Sequence, residues 1–281
     1  MSASVTALVL LAALLHACWN AMVKSTGDRM VMMGWIAGTT SLIALPLVFF
    51  VELPSWEVAR ILVVAVCIHT TYMLLLISAY EHGDFGQVYP LARGFAPALV
   101  TMAGFAMGEA LAPHATLAIG LIIAGIVSLA WRRRPDGEAE PRDLRGITYA
   151  LGTGLAIASY SVVDGIGGRT AATPEAYVVW LFLLHGLPVT AIAFIRRGPS
   201  KIFASRKVAL AGMGGAAMSM IAYGIVIWAM KFSPLGPVSA LRETSVVFAA
   251  LISGLVLKEG LGPRALIAAC VVAAGVVLLR V

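Results

Sequence analysis

What most constrains this chain is a succession of long apolar runs. About ten stretches, each near twenty residues and almost free of charge, follow one another with short connections. They fall near 3–23, 31–51, 58–80, 86–107, 112–131, 146–166, 175–195, 208–230, 236–257 and 262–280. A helix needs about 20 apolar residues to cross the hydrocarbon layer, and a crossing helix satisfies its own backbone hydrogen bonds. Only 12% of the 281 residues are charged and 60% are hydrophobic; soluble domains carry roughly 25% charge. That much apolar surface exceeds what one aqueous core can hide. The expected fold class is therefore an all-α membrane protein of ten transmembrane helices. The net charge of +6 belongs to connections and reports topology, not nucleic-acid binding.

The first run, SVTALVLLAALL, ends in HACWNAMVK. A secretory signal wants a basic region before its apolar stretch, and residues 1–15 contain no Lys or Arg. Leu15-His16-Ala17-Cys18 only faintly resembles a lipoprotein processing site. The segment reads as a retained helix with a polar face. Cys18, Cys67 and Cys270 are far apart and lack metal or redox spacing.

The two halves of the chain look alike. An ungapped slide of residues 86–129 onto 236–279 matches Gly86 with Gly236, Leu91 with Leu241 and Gly104 with Gly254. It also matches Glu109 with Glu259, Pro113 with Pro263 and Gly125 with Gly275. Shared membrane composition yields chance Val and Leu matches, not a Gly, Glu and Pro skeleton in register. The predicted organisation is one five-helix repeat over 1–131, a basic linker over 132–145 and a second five-helix repeat over 146–281, with no soluble domain. Five is odd, so the second copy enters the bilayer inverted. Fourteen Lys and Arg lie in the odd-numbered connections and three, Arg60, Arg169 and Lys231, in the even ones. The positive-inside bias places the odd connections in the cytoplasm and both termini outside, in the cell inner (plasma) membrane.

Polar groups inside apolar spans carry the functional information. An ionised side chain at the bilayer centre costs at least ~2.5 kcal/mol and is expected to face a partner or a cavity. His16, Asn20 and Lys24 recur at four-residue steps in the first span, with Trp19 beside them, so they share one stripe. The alternatives are a substrate-facing surface, interhelical hydrogen bonding, and, for Lys24, snorkelling to the interface. His69 and Tyr72 share a side of the third span; Tyr89 and Arg93 share one of the fourth, whose backbone Pro90 and Pro97 disturb. Ser239, Arg242 and Glu243 lie at matching depth in the ninth. The repeat makes Glu243 the counterpart of Arg93. Two readings stand side by side: a buried Arg–Glu pair that locks the halves together, and an arginine partly freed for an anionic substrate group. Tyr160 and Asp164 are four apart in the sixth span, where Asp164 either faces inward or meets water near the helix end. Trp180 and Tyr223 are pocket candidates, while Tyr177 and Trp228 fit an interfacial aromatic belt. Aromatic faces also suit an ammonium group. The candidate substrate-binding set is thus His16, Trp19, Asn20, His69, Tyr72, Tyr89, Arg93, Tyr160, Trp180, Tyr223, Arg242 and Glu243. His16, His69 and Asp164 are candidates to carry a proton. Glu109 and Glu259 end spans before prolines, and each is expected to cap the helix that follows.

These features together resemble the drug/metabolite transporter superfamily in its ten-helix EamA-type form. The residues that carry the resemblance are ACWNAMVK in the first span and the repeated GEAL…AIGLIIAGIVSL and KEGL…AACVVAAGVVLL. The resemblance covers essentially the whole chain and implies secondary transport of a small polar metabolite without ATP. LLHACWNAMVKS and YPLARGFAPALV are similar to a subset associated with phosphonate utilisation. The short multidrug relatives place a glutamate mid-way along the first helix, where this chain has His16 and Asn20.

A secondary carrier needs an inverted repeat, polar groups near the midplane and pliable helices, and the sequence offers all three. The expected cargo is a small anionic or zwitterionic metabolite, a phosphonate or amino-acid-like compound. The alternatives are export of cationic or quaternary-amine compounds held by aromatic faces, and a membrane scaffold or sensor without transport. No nucleophile elbow, H-E-x-x-H motif or carboxylate cluster suggests an enzyme. No cofactor or metal is expected. The partners are a small-molecule substrate and the lipid bilayer, with the chain a monomer or a homodimer.

Overall fold

A computed structural model describes residues 1–82, 85–129, 144–255 and 263–279. Within them all ten apolar runs are helical. α1 spans Ala3–Ser25, α2 Arg29–Leu47 with a 3-10 turn at Val48–Phe50, α3 Trp56–His82, α4 Phe85–Ala106 and α5 Pro113–Ser128. The second half holds α6 Leu144–Thr170, α7 Pro174–Ile202, α8 Arg206–Phe232, α9 Leu235–Glu243, α10 Ser245–Leu255 and α11 Pro263–Leu278. Seven spans are long and apolar enough to cross a membrane by length and composition, and Pro113–Ser128 and Leu266–Leu278 are shorter apolar helices. No strand occurs among the described residues.

Short polar caps set the helix starts. Asp28 accepts from the backbone N–H groups of Met30 and Val31 to open α2. Thr173, followed by Pro174, opens α7, and Ser205 opens α8. Two spans depart from the uniform helices expected. α7 is kinked at Gly198, whose φ is 75°, immediately before Pro199. The ninth span is two helices, α9 and α10, divided at Thr244. There the Thr244 N–H and hydroxyl both donate to the Leu241 carbonyl, at 3.2 and 2.6 Å. The hydroxyl competes for a ladder acceptor and tightens the turn to 3-10 geometry, a distortion that often marks a hinge.

The outside of the bundle is apolar. Leu42, Val63, Leu117, Ile195 and Ile267 are all exposed, while Arg93, Asp164, Arg242 and Glu243 are buried. Such an inside-out distribution suits lipid as the solvent.

Packing has a near-two-fold pattern. α2 packs on α7 and α5 on α11; α3 lies on α6 as α8 lies on α1; α3 meets α7 as α8 meets α2; α4 meets α6 as α9 and α10 meet α1. One crossing shows the register in detail. A Cβ added to Gly125 would meet Val272 at 2.7 Å and the Ala268 carbonyl at 3.1 Å. One added to Gly275 would meet Ala118 and Ile122 at 2.8 Å each. Positions 118 and 268, and 122 and 272, are separated by the same 150 residues as Gly125 and Gly275, so each glycine seats against the other's counterpart neighbours. In lipid, association relies on such close backbone approach rather than on the hydrophobic effect.

Gly125→Leu and Gly275→Leu should each lower the melting temperature in detergent, overpacking of this kind costing about 1–3 kcal/mol. Equal melting of wild type and both variants would contradict this account of the α5–α11 crossing.

Candidate functional site

Two buried polar clusters meet near the centre of the bundle. The first is built on Glu243 at the end of α9. Its Oε2 accepts from Arg93 Nη1 of α4 at 2.8 Å. Its Oε1 accepts from Arg242 Nε and Nη2 at 2.8 and 2.5 Å. One carboxylate thus serves two guanidinium groups, and all three side chains are almost wholly buried. Arg93 Nη2 also donates to His16 Nε2 of α1. Arginine offers only donors, so that imidazole nitrogen is an acceptor and carries no proton. The guanidinium groups lie over aromatic faces, Arg93 5.2 Å from the Tyr89 centroid and Arg242 5.5 Å from that of Tyr160. Arg242 Nη1 and Ser239 Oγ are buried without a hydrogen-bond partner among the described residues.

Energetics distinguish the three members. Removing one partner of a buried ion pair costs ~3–5 kcal/mol when it strands a charge. Loss of Glu243 strands two cations, whereas loss of either arginine leaves Glu243 with the other.

The second cluster is built on Asp164 of α6, whose exposure is 0%. Its Oδ2 accepts from His69 Nε2 of α3 at 2.7 Å and from the Tyr223 hydroxyl of α8. Its Oδ1 accepts from the Tyr177 hydroxyl of α7 at 2.7 Å. Tyr160 joins the clusters. One face stacks on His69, with centroids 4.3 Å apart, while Arg242 lies against the ring. Tyr72 and Tyr223 approach Tyr160 edge-on, at 5.4 and 6.2 Å between centroids. His185 of α7 sits 4.9 Å from His69, its buried Nε2 without a partner among the described residues.

The structure therefore brings together His16, His69, Tyr72, Tyr89, Arg93, Tyr160, Asp164, Tyr223, Arg242 and Glu243. Trp19 touches the group through His16, edge to face at 4.8 Å. Asn20 does not join: its amide donates to the His16 carbonyl at 2.7 Å, within its own helix. Nor does Trp180, whose indole N–H donates to the Glu52 carbonyl at 3.0 Å, in the connection before α3. Lys24 continues the α1 stripe in sequence, and its side chain lies outside the described residues.

Tyr177 overturns its expected place in an interfacial belt, being wholly buried against Asp164. The signal for it was present: α6 and α7 form a hairpin across a short turn, and residues at similar distances from such a turn stand opposite each other. Asp164 correspondingly does not meet water at a helix end, because α6 continues to Thr170. Trp228 packs beside Phe232 at 5.3 Å.

Glu109 is a capping residue, but not of the helix that follows. The N-cap of α5 is Ala112, and no side chain caps the helix there. Instead Glu109 Oε2 accepts from the Leu235 N–H at the start of α9, at 2.9 Å, and Oε1 accepts from Arg169 at 2.7 Å. Arg169 also donates to the Met230 and Ser233 carbonyls at the end of α8. The turn that aims Glu109 across the bundle is a Schellman closure. Glu109 N–H donates to Gly104 and Gly108 N–H to Phe105, with Gly108 at φ 86°. That geometry sends the carboxylate away from α5. Glu259 lies outside the described residues. Among the described residues no group of three or more His, Cys, Asp or Glu is placed to hold a metal ion.

The comparisons bear on the whole arrangement. Residues 144–281 match the EamA-like transporter family. No curated protein sequence matches the chain. Solved structures do match its fold, among them a crystallised protein at TM-score 0.78 and 17% identity, the alignment covering 99% of this chain and 96% of the other. At that identity the likeness speaks for the fold alone. Residues 144–281 thus carry an EamA-like transporter family domain, which together with the helical membrane architecture supports membership of the drug/metabolite transporter superfamily.

Proposed function

We propose that the protein is a secondary transporter that carries a small anionic or zwitterionic metabolite, a phosphonate or amino-acid-like compound, by alternating access between its two halves. The observation that carries this reading is the pair of buried arginines sharing one carboxylate, with Arg242 Nη1 left over. Guanidinium presents paired donors that match carboxylate and phosphonate oxygens. The second arginine adds the desolvation cost of another buried cation and leaves one guanidinium nitrogen without a partner among the described residues, both of which an anionic ligand would relieve. The aromatic faces weigh against a quaternary amine as cargo, because Tyr89 and Tyr160 already have the protein's own cations against them.

The site draws on both halves: His16, His69, Tyr72, Tyr89 and Arg93 from the first, Tyr160, Asp164, Tyr177, Tyr223, Arg242 and Glu243 from the second. Among the described residues, an ion pair between halves also lies at each end of the bundle. Asp28–Arg197 joins the α1–α2 connection to the end of α7 at 2.7 Å, and Glu109–Arg169 joins the α4–α5 turn to the end of α6, also at 2.7 Å. Asp28 and Arg197 are more than a third exposed. A pair of that kind is worth under ~1 kcal/mol, weak enough to open and reform in each cycle. The tightened turn at Thr244 sits one residue from Glu243 and gives the ninth span a place to bend. His69 with Asp164 is the pair best built to take up a coupling proton, with His16 held in the neighbouring cluster as an acceptor. The protein works in the cell inner membrane with both termini outside, as a monomer or a homodimer.

Arg93→Ala should abolish substrate flux in proteoliposomes while the protein still inserts and melts cooperatively; unchanged kinetics would remove Arg93 from the site. Asp164→Asn should lose flux driven by a proton gradient yet retain exchange of labelled for unlabelled substrate. If gradient-driven flux survives, Asp164 does not carry the proton. For topology, a cysteine-free background bearing Ala172→Cys should react with a membrane-impermeant maleimide in intact cells, and one bearing Ser200→Cys should not; the reverse pattern would invert the orientation.

A further inference from the structure

Charge balance at Glu243 has a consequence for specificity. Arg93 and Arg242 contribute two positive charges and Glu243 one negative, leaving the cluster one positive charge in surplus. The neighbours do not cancel it. His16 accepts from Arg93 through an unprotonated nitrogen, and Tyr72, Tyr89 and Tyr160 are neutral phenols. Asp164 stands in the second cluster, bonded by His69, Tyr177 and Tyr223 with the Tyr160 ring between that cluster and Arg242, and among the described residues it forms no ion pair with either arginine. Glu243 grips Arg242 side-on through Nε and Nη2, which leaves Nη1 without a partner among the described residues, and Ser239 Oγ, likewise unpartnered there, lies three residues earlier on the same face of α9.

We propose that Glu243 is the specificity-determining residue of the carrier: it sets the recognised group at one negative charge, bound through Arg242 Nη1 and Ser239. This rests on the transporter reading above and deepens it. A monoanion brings the cluster to neutrality, so the loaded site bears no net buried charge. A dianion would leave one negative charge in surplus in the same low-dielectric surroundings. Glu243 thereby favours a carboxylate or a singly ionised phosphonate over a doubly ionised phosphate or dicarboxylate. The empty carrier, for its part, returns with one unbalanced charge instead of two.

The test uses purified full-length protein and two anions of similar shape and different charge, methanesulfonate and sulfate, added at equal ionic strength. Melting temperature is followed against concentration. Four proteins span the charge series: wild type at one surplus positive charge, Glu243→Gln at two, Arg93→Gln at none, and the double variant Arg93→Gln/Glu243→Gln again at one. Wild type and the double variant should be stabilised by methanesulfonate at least as strongly as by sulfate, relative to Arg93→Gln, which should respond to neither beyond the bulk salt effect. Glu243→Gln should shift toward sulfate by at least about tenfold in apparent affinity. Should that variant not fold with two stranded cations, the proposal stands or falls on the double variant matching wild type while Arg93→Gln does not. Identical anion selectivity in all the proteins that fold, with binding retained, would overturn the role of Glu243 and leave the carrier reading intact. No response of wild type to methanesulfonate would overturn both this role and the anionic substrate.

Discussion

Two guanidinium groups closing on one buried carboxylate form the interaction on which the rest of the site depends. Placing Arg93, Arg242 and Glu243 out of water is expensive, and only their mutual hydrogen bonds make it tolerable. The partners come from both halves of the chain, so the same bonds that offset desolvation also hold α4 to α9 at the middle of the bundle. Arg93 and Glu243 are separated by 150 residues, the offset that also relates Gly125 to Gly275. Both contacts therefore bring equivalent positions of the two halves together, as expected on an axis of approximate two-fold exchange.

The second cluster follows another rule. Among the described residues Asp164 pairs with no arginine; two tyrosine hydroxyls and a histidine satisfy it. Tyr160 lies between the clusters, sharing its ring with His69 and Arg242. The two clusters thus stand side by side within one aromatic setting.

Much of the fold was legible from apolar run length alone. Among the described residues the helices fall where the runs fall, because a lipid-facing backbone is satisfied only in a helix or a closed barrel. The polar inventory was also legible, since a charge inside such a run is costly and stands out: His16, His69, Arg93, Asp164, Arg242 and Glu243 all announce themselves this way. Periodicity was a poorer guide to aromatic residues. Tyr177 and Trp180 are three apart on α7, yet one bonds Asp164 and the other the Glu52 carbonyl. Interfacial and buried tyrosines look the same in sequence, because the ring is apolar and the hydroxyl polar in both settings.

By itself the sequence determined what is set by local cost: helices wherever lipid is the solvent, polar side chains only where a partner can meet them, glycines where backbones must approach. It did not determine the pairing. Glu109 shows the difference, for its position at a helix end suggests a cap on α5, while the closure at Gly108 turns it toward α9 and Arg169. The choice of Glu243 as shared partner of two arginines, and the tight turn at Thr244 beside it, likewise came only from tertiary structure. Hydrogen bonds between helices depend on the depth and rotation of both, and one helix's sequence encodes only its own.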